Sequence, residues 1–492
     1  MIFSSTEFIF AYLPLVFFGY FGINKLLPAI YGKMWLCLAS LFFYGYWSAS
    51  YLPLLLASII FNYFSGFYLS SDRFTTKIKI KKKILAIAII INLGALCYYK
   101  YTNFFIENLN TLSDSHYTIK AIELPLGISF FTFTQIAFLV DSFKGKVEEY
   151  NFANYTLFVT FFPHLIAGPI IHHGEMMPQF ARRDNEKINH KNITSGLLIF
   201  SIGLIKKILI ADTFAVYAER GYTQGYSHDF FSSWATSLSY TFKLYFDFSG
   251  YCDMAIGAAL LFNILLPINF NSPYKALDIQ DFWRRWHITL GRYLRDYVYI
   301  PLGGNKVSPL KNYFNLFATF TIAGLWHGAS WMFVMWGAVH GLALIIHRIW
   351  KKFGLQLPAP LAWCITFIFI NFTWILFRSP NFETATKMFE NMLSFSQALN
   401  VSLTSLPLVD LSRYGAAGGW IAENISFGVA AYLSTFLMVL ASLVICSAKN
   451  SQELALKSNI GYGKLIVFSI SGAISVYFGL HTESAVFLYF NF

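Results

Sequence analysis

Long apolar runs, separated by short polar segments, extend along almost the whole chain. A helix that crosses a bilayer needs about 20 mostly apolar residues, and a window of about 19 residues detects such stretches repeatedly. Because some runs are short or interrupted, we predict about 11–13 transmembrane helices in an all-α polytopic membrane protein. The apolar runs lie at residues 5–23, 34–48, 51–70, 84–99, 121–140, 153–171, 194–218, 232–247, 252–268, 311–326, 328–347, 360–378, 426–447 and 462–480.

The segment at residues 269–305 breaks this pattern. It combines Trp, Tyr, Arg and Asp with apolar positions at helical spacing. Arginines inside such a segment cannot face lipid tails cheaply. We therefore predict a re-entrant or interfacial segment, although an anchoring amphipathic helix would show the same pattern.

A second break lies at residues 161–180, where Pro163, Gly168, Pro169 and Gly174 interrupt a helical pattern. Non-helical backbone at membrane depth persists only where it is buried in protein or lines a water-filled cavity. We predict that this segment helps to wall such a cavity.

Composition agrees with this picture, since 56% of the 492 residues are hydrophobic and only 12% are charged. The net charge of +11 is concentrated in short loops, most clearly in the loop at Lys77–Lys83, which the positive-inside bias predicts to be cytoplasmic. If three spans precede this loop, the N-terminus faces outward. The first apolar run lacks a basic region and a cleavage site, so we interpret it as a retained helix.

Several kinds of chemistry find no support in the sequence. The five cysteines are scattered, without a CxxC pair, so neither a disulfide framework nor a cysteine metal site is expected. His172 and His173 are adjacent and point apart on a helix, and no zinc-binding spacing accompanies them. We predict no bound metal. The chain also lacks a GxSxG elbow, a Walker loop and an HxxxxD pair.

Two histidines stand out by their setting. His327 and His287 each follow a tryptophan in a membrane-depth or interfacial segment, and an ionisable residue in such a place suggests function. Imidazole can take a proton from a hydroxyl near neutral pH. From the pattern alone, each is either a catalytic residue or a buried histidine with a structural partner.

Other polar residues inside apolar runs favour structural roles. His340 and His347 share one helix face beside a GxxxG pair, which favours close helix packing and hydrogen bonds between helices. Asp247 ends the apolar run at residues 232–247, and Asp253 lies in the next run, at residues 252–268. We favour a role for them in helix packing over a role in catalysis.

Taken together, six segments resemble one family, the membrane-bound O-acyltransferases, in the bacterial branch whose members modify alginate, peptidoglycan or teichoic acid. They occur in the family's order and cover roughly residues 1–395, which we interpret as the acyltransferase core. Residues 396–492 carry no matching motif and are predicted to be a C-terminal transmembrane extension. The segments are PLGISFFTFTQIAFLVDSFKGKV, FFPHLIAGPI, FDFSGYCDMAIGAALLF, DFWRRWHITLGRYLRDYVYIPLGGN, GLWHGASWMFVMWGAVHG and FTWILFRSPNFETATKMF.

The resemblance implies a fold and a set of site residues. The family fold is a ring of tilted and broken helices around a central tunnel. The family's proposed catalytic histidine corresponds to His327, as general base or transient acyl carrier, and its second active-site residue corresponds to His287, which would orient the donor or stabilise the oxyanion. The residues predicted to bind the donor, with the guanidinium groups suited to coenzyme A phosphates, are Arg284, Arg285, Arg292, Trp286 and Trp326.

The implied reaction moves an acetyl group from a cytosolic thioester, acetyl-CoA, to a hydroxyl of an exported or cell-wall polysaccharide. No bound cofactor is expected. The implied location is the bacterial cytoplasmic (inner) membrane, and the implied partners are the lipid bilayer, the thioester donor, a periplasmic SGNH-hydrolase-like protein and the polysaccharide acceptor, with no nucleic acid. Two alternatives remain: D-alanyl transfer from a carrier protein to teichoic acid, and a transporter or flippase of an acyl donor or glycolipid.

Overall fold

The computed structural model describes residues 1–70, 77–118, 120–147, 150–166, 168–222, 230–394, 427–455 and 462–481. These residues form helices, turns and loops, and none of them forms a β-strand. The predicted fold class, an all-α polytopic membrane protein, is therefore confirmed. By length and composition, the helical segments of the described chain that can cross a bilayer are Glu7–Leu26, Ala29–Ser70, His190–Glu219, Trp331–Lys352 and Ala359–Arg378.

The helices are numbered along the chain. The first half contains α1 (Leu13–Leu26), α2 (Ala29–Ser48), α3 (Leu52–Ser70), α4 (Ile78–Ser113), α5 (Ile128–Phe143), α6 (Phe152–Thr160), α7 (Phe162–Leu165), α8 (His173–Ala181), α9 (His190–Leu204), α10 (Asp212–Gly221) and α11 (Phe230–Leu261). The second half contains α12 (Ile279–Arg285), α13 (Ile288–Leu294), α14 (Pro309–His327), α15 (Trp331–Lys352), α16 (Ala359–Arg378), α17 (Phe382–Leu393), α18 (Phe427–Ser447), α19 (Ser451–Ala455) and α20 (Tyr462–His481).

Many of these helices begin at a polar residue that caps the first turn. The side chains of Asn151, Asn189, Asp278, Ser330 and Asn381 each accept a hydrogen bond from a backbone N–H in the turn that follows. Such caps satisfy amides that have no partner inside the helix. Short polar residues between apolar runs therefore define where α6, α9, α12, α15 and α17 begin.

The central pair, α9 and α11, packs backbone against backbone. A Cβ atom added to Gly257 would lie 2.6 Å from the carbonyl oxygen of Gly196, and one added to Gly203 would lie 2.7 Å from that of Gly250. Larger side chains cannot occupy such contacts, so small residues allow close helix association.

Buried ion pairs join the same two helices through the π-helical segment Ile205–Ala211, which links α9 to α10. Lys207 lies 2.8 Å from Asp212 and 3.0 Å from Asp247, and Lys206 lies 2.7 Å from Asp253. The interpretation of Asp247 and Asp253 as partners in helix packing is confirmed. We call these five residues the ion-pair cluster.

The basic run before α4 differs from its prediction. Residues 78–83, predicted as part of a loop, form the first turns of α4. This helix has 36 residues, which corresponds to a length of about 54 Å, whereas the hydrocarbon core of a bilayer is about 30 Å thick. The helix therefore extends beyond the apolar run, and the four lysines within residues 78–83 lie on its N-terminal excess length. Residues 71–76 lie outside the described residues.

Both breaks in the apolar pattern contain interrupted helices, and the re-entrant or interfacial position of residues 269–305 stays a prediction. Residues 161–180 form the short α7, an extended stretch and α8, and residues 269–305 contain α12 and α13, which are each one to two turns long. The first segment also lines a cavity of about 430 Å³ through His173, Gly174, Met177, Pro178 and Ala181. The segment thus lines a cavity, and the position of that cavity at membrane depth stays a prediction.

The described part of the C-terminal extension packs on the core. Helix α20 contacts α9, and α18 contacts α11. Between them, the Ser451 hydroxyl donates to Asp253 at 2.8 Å, and the Asn450 amide donates to Asn271 at 3.0 Å. The predicted boundary near residue 395 lies outside the described residues.

Candidate active site

His327 is the last residue of α14 and is only 2% exposed. Gly328 follows in an extended conformation, and Ser330 then caps α15. The two helices meet closely, because a Cβ atom on Gly324 would clash with the Phe333 carbonyl of α15. Small residues on both sides of His327 therefore hold the end of α14 against the start of α15.

His287 lies between α12 and α13 and is fully buried. Its backbone is left-handed, with φ 45° and ψ 51°, a conformation that few residues other than glycine adopt. Asn269 holds this turn: its side-chain oxygen accepts from His287 Nδ1 at 3.0 Å and from the Thr289 hydroxyl at 2.9 Å. Its backbone carbonyl accepts from the Ile288 N–H at 3.0 Å. Such strain persists only where the surroundings enforce it.

The fold brings the two predicted catalytic histidines together. Their ring centroids are 6.3 Å apart. Aromatic rings enclose His327, with Trp326, Trp336 and Phe377 at centroid distances of 5.0, 5.2 and 5.3 Å. The result is a buried, aromatic-walled pair of imidazoles.

The Asn269 contact determines which nitrogen of His287 carries the proton. Asn269 donates its own amide to Cys252 Sγ at 3.4 Å, so its oxygen faces the imidazole. Only a protonated Nδ1 can donate to that oxygen, which leaves Nε2 of a neutral ring as a hydrogen-bond acceptor. This assignment follows from the hydrogen-bond network.

Two residues of α4 that the sequence analysis did not single out hold the end of α14. The Lys100 ammonium donates to the Trp326 carbonyl, and the Tyr101 hydroxyl donates to the Leu325 carbonyl at 2.8 Å. The only signal in the sequence is a lysine directly after the apolar run at residues 84–99. Asn269, at the start of the second broken segment, was also missed.

A cavity of about 640 Å³ lies between α12, α13, α14 and α15. We call it the cationic cavity, because no acidic residue occurs among its described lining residues. Its walls include Phe320, which precedes His327 by about two turns of α14, and Trp283. The basic side chains that line it are Arg284, Arg292, Arg295, His347, Arg348 and Lys351.

The residues predicted to bind the donor fall into two groups. Arg284 and Arg292 line the cationic cavity, and Arg292 also pairs with Glu175 of α8. The structure does not bring the others to the described lining of this cavity. Arg285 pairs with Asp281 at 2.9 Å, four residues earlier on the same short helix.

The two predicted tryptophans pack in the core behind the histidines. Trp286 is 2% exposed and stacks on Phe282, while Trp326 is 4% exposed and stacks on Phe133. Each tryptophan is buried, as is the histidine that follows it. A direct contact of either tryptophan with the donor stays a prediction.

Trp283 and His340 separate the cationic cavity from His327. The Trp283 indole donates to His340 Nδ1 at 3.2 Å, and His340 Nε2 lies 3.1 Å from the Thr373 hydroxyl. Trp336 packs against both Trp283 and His327. The predicted role of His340 in hydrogen bonding between helices is confirmed, and His347 lines the cavity beside Asp278 at 3.4 Å.

His172 and His173 point to different partners, as expected for neighbours. His172 stacks on Tyr297, whereas His173 Nδ1 lies 3.5 Å from Asp141. The Tyr297 hydroxyl joins both sides, since it donates to Asp141 at 2.7 Å. This network supports the broken segment that leads into α8.

Comparison with known proteins assigns the chain to a family. Residues 17–379 match the model of the MBOAT, membrane-bound O-acyltransferase, family. The chain belongs to this family. It is a multi-pass membrane protein and an O-acyltransferase, so the transporter alternative is set aside. His327, His287, Lys100 and the cationic cavity all lie within the matched residues.

Individual relatives agree with this assignment. The chain is 44% identical to the peptidoglycan O-acetyltransferase of Helicobacter pylori, an alignment that covers 100% of this chain and 98% of that protein. It is 37% identical to the probable alginate O-acetylase AlgI of Pseudomonas aeruginosa, across 80% of this chain and 75% of that protein. A teichoic acid D-alanyltransferase of Streptococcus thermophilus is 27% identical, across 46% of this chain and 57% of its own length.

Proposed function

We propose that this membrane O-acyltransferase takes acetyl groups from acetyl-CoA for O-acetylation of an exported polysaccharide, with peptidoglycan as the first candidate. The observation that carries the proposal is the cationic cavity, whose wall reaches to within about two turns of His327. Guanidinium groups suit the phosphates of coenzyme A. The full-length similarity to a peptidoglycan O-acetyltransferase supports the acyl group and the acceptor.

Acetyl transfer fits the sequence relationships better than D-alanyl transfer. The D-alanyltransferase relative aligns with less than half of this chain, whereas the peptidoglycan O-acetyltransferase aligns with all of it. The aromatic enclosure of His327 also suits a small acyl group. Offering acetyl-CoA and a D-alanyl carrier protein to the same purified enzyme distinguishes the two donors.

We place the enzyme in the bacterial cytoplasmic membrane with its N-terminus outward. The basic run at Lys77–Lys83 then faces the cytoplasm, as the positive-inside bias requires. Three helices, α1, α2 and α3, precede that run, which agrees with the orientation. A periplasmic SGNH-hydrolase-like protein would receive the acetyl group and pass it to the polysaccharide.

The chemistry requires one bond to break and one to form. The carbonyl carbon of the thioester loses its bond to sulfur and gains a bond to the acceptor oxygen, while the hydroxyl proton moves to the departing sulfur. His327 takes that proton as a general base, or it first accepts the acetyl group on its ring and then yields it to the acceptor. In both routes an imidazole delivers the proton to the departing sulfur.

His287 supports this step as a hydrogen-bond acceptor. With its Nδ1 proton donated to Asn269, its Nε2 can hold the acceptor hydroxyl or the His327 ring in one orientation. The role of oxyanion donor, which the family resemblance suggested, would require a second proton on the ring. We therefore favour orientation over oxyanion stabilisation for His287.

Replacement of His327 tests the function. In proteoliposomes that contain the purified protein, His327→Ala should reduce acetyl transfer from labelled acetyl-CoA by about 10³-fold, as expected for loss of a general base. His190→Ala, at an exposed histidine that begins α9, is the matched control and should retain activity. Full activity of the His327 variant, with normal expression and folding, would contradict the proposal.

A second measurement separates the two routes through His327. Labelled acetyl-CoA is mixed with the enzyme in the absence of any acceptor, and the protein is then quenched and digested. Label on the peptide that contains His327 would identify the acyl carrier. An unlabelled protein, from a preparation that transfers acetyl at a normal rate once acceptor is added, would favour the general base.

A further inference from the structure

Lys100 is a buried lysine in the middle of α4, and its residue is only 8% exposed. Burying a lysine away from water is costly unless other groups compensate its charge, and a buried ionisable residue beside an apolar run suggests a function. No carboxylate among the described residues forms an ion pair with it. Its ammonium instead donates to the Trp326 carbonyl and, at 3.2 Å, to the Ser129 hydroxyl of α5.

The carbonyl contact of Lys100 falls on the last turn of α14, which carries His327. The last four carbonyls of a helix have no partner inside the helix and form the negative end of its dipole. Lys100 and Tyr101 occupy two of them, the carbonyls of Trp326 and Leu325. A cation and a hydroxyl from α4 thus fix the position from which His327 projects.

The same ammonium lies over the indole ring of Trp326, 5.7 Å from its centroid. This indole contacts both imidazoles, with centroid distances of 5.0 Å to His327 and 6.2 Å to His287. Lys100 therefore contacts the backbone and the ring of the residue whose indole lies near both histidines. Moving Trp326 would change the separation of the histidines.

We propose that Lys100 is a positioning residue, which sets the His327–His287 geometry by holding the C-terminal turn of α14 and the Trp326 ring. It touches neither donor nor acceptor and acts through His327. The proposal rests on the acetyl-transfer function proposed above. Misplacement of a reacting group by about 1 Å can reduce a rate by about 10²-fold, which gives the expected scale.

The test compares Lys100→Met with Lys100→Arg in the purified full-length enzyme. Methionine keeps the length of the side chain and removes its charge and donors, so kcat should fall by about 10²-fold while KM for acetyl-CoA stays unchanged. Arginine retains donors for the Trp326 carbonyl, so it should restore most of kcat. The melting temperature of each variant is measured alongside.

Lys207→Met serves as the comparator, since Lys207 is equally buried but belongs to the ion-pair cluster. It should lower the melting temperature and preserve kcat of the folded fraction, the reverse of Lys100→Met. Unchanged kcat in Lys100→Met, or equal loss in Lys100→Met and Lys100→Arg, would overturn the proposal. If Lys100→Met does not fold, Tyr101→Phe tests the same turn and should lower kcat without changing KM, while unchanged kcat would again contradict it.

The two proposals fail in different ways. If His327→Ala retains full acetyl transfer, the function assigned to the centre is wrong whatever Lys100 does. If His327→Ala is inactive and Lys100→Met is fully active, the function stands and only the positioning role is lost.

Discussion

Two regions of this protein bury polar groups inside the fold, and they do so in opposite ways. In the ion-pair cluster, Lys207 lies between two carboxylates at 2.8 and 3.0 Å. In the histidine centre, the buried region around His327 and His287, Lys100 donates to a carbonyl and a hydroxyl beside aromatic rings. Both lysines are almost completely buried.

The difference shows how to distinguish buried polar groups that stabilise a membrane protein from those that serve its reaction. A buried charge matched by opposite charges is costly to break and joins helices to one another. A buried charge matched only by dipoles fixes backbone positions and leaves nearby groups available for reaction. Removing charge from the first region should therefore change stability, and removing it from the second should change rate.

The largest expected effect is on stability, in the ion-pair cluster. Lys207→Met leaves Asp212 and Asp247 without their buried cation, which should lower the free energy of unfolding by about 3–5 kcal/mol. Thermal and denaturant unfolding in detergent measure this change. Lys387→Met, at an exposed lysine paired with Glu383 on α17, is the control and should leave unfolding unchanged. Equal stability of the Lys207 variant and the native protein would remove the distinction between the two regions.

The next effect sharpens the role of the histidine centre. Asn269→Ala removes the acceptor that fixes the His287 ring, so kcat should fall by about 10–100-fold, as for other losses of a residue that orients an imidazole. Combining it with His287→Ala should produce no further loss, because both changes disable the same group. Asn271→Ala, whose side chain faces Asn450, is the control. Losses that multiply would show that Asn269 acts independently of His287.

The smallest effect concerns the two cavities. Arg284→Gln removes a cation from the cationic cavity and should raise KM for acetyl-CoA about 10-fold, or ~1.4 kcal/mol, with kcat unchanged. The effect should shrink at high ionic strength, because Arg284 is exposed and screening weakens its attraction for phosphate. Arg182→Gln, at the 430 Å³ cavity, is the control. A larger KM change in the Arg182 variant would place the donor in that second cavity.

Much of the fold could be predicted from the sequence, because a lipid bilayer restricts which segments can cross it. Apolar runs of bilayer length predicted the spanning helices, and proline, glycine and arginine within such runs predicted the broken segments at residues 161–180 and 269–305. The extent of α4 was less accessible. Its first turns are polar, and a hydropathy window detects only the apolar part of a helix. The polar turns that extend the same helix are missed.

The candidate site could be predicted from the sequence only in part. His327 and His287 stood out because an ionisable residue in an apolar setting is conspicuous along the sequence. The donor-binding residues were harder to predict, because Arg284 and Arg285 are neighbours in sequence and yet face different surroundings. Arg284 lines the cationic cavity, while Arg285 is held by Asp281, and a helix turns about 100° between them.

By itself, the sequence determined the membrane class, the helical architecture, the family and the two histidines, because each depends on composition or on residues close together in the chain. Only the tertiary structure decided which groups meet. Lys100 contacts the carbonyl of a residue 226 positions later, and Asn269 faces a histidine 18 positions away across a left-handed turn. Such contacts depend on helix packing and on where each helix ends. Neither of these produces a periodic pattern of residues in the sequence.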